Sequence, residues 1–103
     1  MKAVRSSGNV FRDLGFSPDE AEYLKIRAEL MMNLQKVITA RGLKQTEAAK
    51  LLGITQPRVS DLMRGRIDLF SIDTLIDMLA RLEIRAKIVL QPRRRRAVVA
   101  APR

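Results

Sequence analysis

Neither cysteine nor histidine occurs in this chain of 103 residues. Without cysteine there is no disulfide and no thiolate metal site. Without histidine the commonest metal ligand and the usual proton carrier near neutral pH are missing as well. Aromatic residues are scarce, with three Phe, one Tyr and no Trp, so a core has to be built from Leu, Ile, Val, Met and Ala. No apolar stretch approaches the roughly 20 residues of a membrane span, and the first residues hold no signal-peptide run. A soluble, cytoplasmic protein is the expectation. An enzyme is not: there is no His or Cys, no glycine-rich phosphate loop and no pair of carboxylates in an evident apolar pocket. Asp73 and Asp77 fit a solvated helix face, and no cofactor or metal is expected.

What the chain has in excess is positive charge. Its net charge is +9, from 20 Lys and Arg against 11 Asp and Glu. Such a balance attracts polyanions. The charge is also unevenly placed: +3 over residues 1–12, +4 over 41–66 and +5 over 93–103, with −2 over 13–40 and −1 over 67–92. The length suits one domain.

Residues 1–16 show no sustained period and read as an irregular arm. Ser17-Pro18-Asp19-Glu20 is a helix start, with Ser17 as cap, Pro18 in the first turn and Glu20 completing a capping box. Leu24, Ala28, Met31, Leu34 and Ile38 then share one face of a long amphipathic helix that stops at Gly42. Two short helices follow, over 45–52 and 56–64, closed by Gly53 and Gly65. Ser71 caps a further helix with Ile72, Leu75, Leu79 and Leu82 on its buried side. Residues 85–90 read as a strand with Ala86, Ile88 and Leu90 on one face. Pro92 ends it, and 92–103, with Arg93-Arg94-Arg95-Arg96, reads as a basic disordered tail.

The stretch 45–62 carries the functional signal. Two short helices crossing through a tight turn need a small residue at the contact, and Ala49 supplies it. Gly53 supplies the turn, where a positive φ is cheap only without a Cβ. Ala48, Leu52, Ile54, Val59 and Leu62 are the apolar anchors. Thr55 caps the second helix, and Pro57 sits in its first turn, where a missing N–H costs little. Two bundle helices flanking a glycine would share some of these features, but not all of them in register. The pattern is that of a helix-turn-helix.

Segment 41–82 resembles the Cro/phage-repressor (XRE) class of helix-turn-helix domains. The resemblance implies an all-α, lambda-repressor-like bundle, here with one short C-terminal strand. The run from Gly42 to Leu62, then Gly65 and Phe70-Ser71, together with Gly8-Asn9-Val10-Phe11-Arg12-Asp13-Leu14-Gly15, is similar to HigA-type antitoxins. These pair with RelE/HigB-like toxins, so the resemblance, over residues 8–91, implies such a partner. Lys44 departs from the class, which commonly has a Ser or Thr cap there; Thr46 is the candidate substitute.

In a helix-turn-helix the second helix enters the major groove and its N-terminal residues reach base edges. The expected contact set is Lys44, Gln45, Thr46, Thr55, Gln56, Pro57, Arg58, Ser60, Asp61, Arg64 and Arg66. Gln56 suits a bidentate pairing to adenine and Arg58 one to guanine. Asp61 either accepts from cytosine or orients Arg58 or Arg64 across one turn. Ser60 reaches a base or a phosphate. Lys44, Gln45, Thr46 and Arg66 are placed for the DNA backbone.

A lone strand leaves its backbone groups unpaired. The expected partner for Ala86, Ile88 and Leu90 is the same strand of a second chain; the arm around Val10 and Phe11, or a protein partner's edge strand, are alternatives. A homodimer also presents two recognition helices to a palindromic operator in double-stranded DNA. Val10, Phe11, Leu14 and Phe16 in the arm either pack on the chain's own first helix or dock the toxin. Functions left open are antitoxin and autorepressor, a stand-alone or phage-derived repressor, and an RNA-binding or adaptor protein.

Overall fold

The computed structural model describes residues 9–92. The expected tail, 93–103, and the first eight residues lie outside the described residues, so the basic run at Arg93–Arg96 does too. Within them the order is α1 (Val10–Asp13), α2 (Pro18–Ala40), α3 (Gln45–Leu52), α4 (Gln56–Met63), a 3-10 turn (Ile67–Leu69) and α5 (Ile72–Arg81).

Local chemistry sets these boundaries. Ser17 accepts a hydrogen bond from the Glu20 N–H at 3.2 Å, with Pro18 opening α2 behind it. Gly42, at φ +63, lets the Leu43 N–H return to the Ile38 carbonyl at 3.1 Å. That closes the helix with a left-handed residue. Ser71 caps α5 by accepting from the Thr74 N–H. The 3-10 turn has no periodic signature in the sequence, being a single tight turn after Gly65.

The core is aliphatic, as the composition requires. Met31, Leu34 and Ile38 of α2 meet Ala48, Ala49 and Leu52 of α3, Val59 and Leu62 of α4, and Leu75, Met78 and Leu79 of α5 with Leu82 just beyond it. Phe70 is the one core aromatic among the described residues, at 1% exposure. No helix among them is long and apolar enough to cross a membrane.

Two expectations need correction. The arm is not wholly irregular: α1 forms one helical turn capped by Asn9, whose side chain accepts from the Phe11 N–H at 3.0 Å. The Asn9 amide also donates to the Ala21 carbonyl at 3.1 Å, and Asn9 is only 5% exposed. One turn is too short to show a period, which is why the sequence reads as irregular there. The expected strand at 85–90 is also absent; no strand occurs among the described residues. A strand is a relation between two backbones, and the single chain brings none beside this segment. It lies instead beside α2 and α5, where Ala86, Lys87, Ile88 and Val89 line a groove with Ile26, Leu30, Ile72 and Ile76. Ile88 and Leu90 stay 73% and 89% exposed.

Candidate nucleic-acid interface

The turn between α3 and α4 is built as its residues dictate. Gly53 is left-handed at φ +70, and the Ile54 N–H reaches back to the Ala49 carbonyl at 3.0 Å. Ile54 then packs against the core, and Ala48, Ala49, Leu52, Val59 and Leu62 are buried. All five apolar positions of the motif thus anchor the pair.

Thr55 caps α4 as expected, its hydroxyl accepting from the Arg58 N–H at 3.4 Å. At α3 the departure from a Ser or Thr cap is met by Glu47, not Thr46: its carboxylate accepts the Lys44 N–H at 2.8 Å. The Lys44 side chain is all donor, so only this half of a capping box operates.

Turning by about 100° per residue, α4 buries Val59 and Leu62 and places Pro57, Ser60, Asp61 and Arg64 opposite. Thr55, Gln56, Pro57 and Arg64 are exposed, while Ser60 and Asp61 are half-buried. Lys44, Gln45 and Thr46 at the start of α3, and Arg66 beyond Gly65, are exposed as well. Of the alternatives for Asp61, the structure shows the one in which it meets Arg64, at 3.5 Å.

Arg58, expected as a base reader, is half-buried and engaged within the fold. Its Nη1 donates to the Leu69 carbonyl at 3.0 Å, and its guanidinium carbon lies 4.2 Å from the centre of the Phe70 ring.

Three further polar residues, all on or just after α2, were not singled out by sequence. Gln35 donates to the Leu62 carbonyl in the last turn of α4 at 2.8 Å. Arg27 donates twice to the Phe70 carbonyl, and Arg41 donates to the Leu82 carbonyl at 2.9 Å. Each satisfies a backbone acceptor at a helix boundary, which helices leave open. Each contact joins distant parts of the chain, so no local pattern announces it. No group of three or more Asp and Glu among the described residues is placed to hold a metal ion.

Away from α4, the arm presents Val10, Leu14 and Phe16 as exposed apolar side chains, with Phe11 half-buried and edge-on to Phe16 at 6.2 Å. Ala86 is half-buried.

Comparison with known proteins agrees with this geometry. A family model described as a helix-turn-helix domain matches residues 10–91. A solved structure named as an XRE family transcriptional regulator is similar at 33% identity and a TM-score of 0.69, over 79% of this chain and 91% of that one. No curated protein matches. The chain belongs to the helix-turn-helix domain family, in an XRE-like form.

Proposed function

We propose that this protein is a sequence-specific transcriptional repressor that acts on its own promoter and serves as the antitoxin of a RelE/HigB-like toxin. The chain is a helix-turn-helix DNA-binding regulator of XRE type. The observation that carries the reading is the outer face of α4, capped by Thr55, with Gln56, Pro57 and Arg64 exposed and the helix anchored from below by Val59 and Leu62. Gln56 is the leading base reader; Lys44, Gln45, Thr46 and Arg66 hold the DNA backbone.

A palindromic operator calls for two such helices about 34 Å apart. The working unit is therefore a homodimer, joined through the apolar segment that leaves Ile88, Val89 and Leu90 exposed. The toxin reading is supported by the resemblance of 8–91 to HigA-type antitoxins and by the exposed Val10, Leu14 and Phe16. It acts in the cytoplasm.

Footprinting on its own promoter tests the repressor: protection of a palindrome is expected, and an adaptor would protect nothing. Co-expression with the neighbouring gene product tests the antitoxin. Failure of any small basic neighbour to co-purify leaves a stand-alone repressor.

A further inference from the structure

Arg58 lies at the border of the recognition helix, not on its outward ridge. With Val59 and Leu62 facing the core, the helical rotation puts Pro57, Ser60, Asp61 and Arg64 on the far side, with Gln56 at one border and Arg58 at the other. The Arg58 border faces the 3-10 turn and the start of α5. There the guanidinium covers the Phe70 ring at 4.2 Å and donates to the Leu69 carbonyl at 3.0 Å. Phe70 is itself immobilised: its ring is in the core and its carbonyl takes two donors from Arg27, at 2.9 and 2.6 Å.

A cation over a ring is attracted by the ring's quadrupole, and a planar guanidinium can stack and donate in-plane at the same time. The bond to Leu69 occupies Nη1, and the stack on the buried Phe70 ring holds the guanidinium at the border of α4, beside its outward ridge. We propose that Arg58 is a positioning residue: it fixes the angle of the recognition helix against Phe70, and base readout falls to Gln56 and the outward ridge. The N-terminal turn of α4, the part that meets base edges, is the turn this contact restrains.

The inference rests on the DNA-binding reading above, and one experiment separates the two. Duplexes are selected from a random pool by the full chain and by its Arg58→Ala and Arg58→Lys forms, with dissociation constants measured on the selected sites and melting temperatures alongside. The expected result is one preferred sequence for all three proteins. Arg58→Ala then binds every site about tenfold more weakly, while Arg58→Lys, which keeps a cation over the ring, stays within about threefold. A melting temperature for Arg58→Ala close to that of the parent, beside the tenfold loss and an unchanged slope of log affinity against log salt, marks positioning, whereas a flattened slope shows a lost phosphate contact and overturns the inference. Loss of preference at one base pair in Arg58→Ala, with the rest intact, overturns the inference alone. Equal binding by Arg58→Ala and parent also overturns it. A parent protein that enriches no sequence overturns the DNA-binding reading, and this inference with it.

Discussion

Arg27 and Phe70, 43 positions apart, are joined by a forked hydrogen bond in which Nε and one terminal nitrogen of Arg27 both donate to the Phe70 carbonyl, at 2.9 and 2.6 Å. The carbonyl sits where the 3-10 turn gives way to α5, so α2 holds the segment that follows the recognition helix. Removing one partner of a part-buried, charge-assisted bond leaves the other unsatisfied. Arg27→Ala is expected to lower stability by about 2 kcal/mol, read as a lower urea midpoint at unchanged slope. An unchanged midpoint would show that water replaces the arginine without cost.

Gly53 is tied to its place by backbone geometry. At φ +70 an L side chain is strained, and an added Cβ would lie 2.9 Å from the Arg81 guanidinium, which can swing away. Gly53→Ala should therefore cost about 1–2 kcal/mol, nearly all from the left-handed backbone. Gly53→Asn should cost less, since Asn tolerates that conformation. Thermal unfolding of the two variants gives the ordering.

Glu83 is the opposite case. It is the one non-glycine residue with positive φ among those described, at +63, just after α5. The Ile84 N–H still returns to the Leu79 carbonyl at 2.9 Å, as in a glycine-closed helix. Glu83→Gly is expected to stabilise the fold by about 0.5 kcal/mol, the relief of strain exceeding the entropy lost by a freer unfolded chain. A lower melting temperature would mean that the glutamate makes a compensating contact.

The helix-turn-helix was legible in the sequence because each of its constraints is local. A cap, a turn glycine and a helical period all act within a few residues, so the roles of Ser17, Gly53, Thr55 and Ser71 are evident in the sequence. What was not legible depends on packing. Arg27, Gln35 and Arg41 reach carbonyls 43, 27 and 41 positions away, and nothing in their own neighbourhoods marks them. The surroundings of Arg58 are hidden for the same reason: its position on α4 is local, but its contact with Phe70 is tertiary. At 85–90 the alternation of Ala86, Ile88 and Leu90 gave a period without a partner, and pairing needs both.

The basic run at Arg93–Arg96 bears on salt dependence. Each phosphate neutralised adds to the slope of log affinity against log salt. Truncation after Pro92 is expected to flatten that slope while leaving the preferred site unchanged. A changed site would mean that the tail reads sequence.

Gln56 carries the base-reading claim. A bidentate pair is worth about 1–3 kcal/mol of discrimination, so Gln56→Ala should relax preference at one operator position and leave the others intact. The most direct measurement is random-pool selection by the parent protein and Gln56→Ala, read together with the mass of the bound complex. Expected is a palindrome with half-sites about one helical turn apart, two chains per duplex, and loss of one base preference in each half-site for the variant. A parent that enriches no sequence, or a variant whose preferences match the parent's at every position, would contradict it.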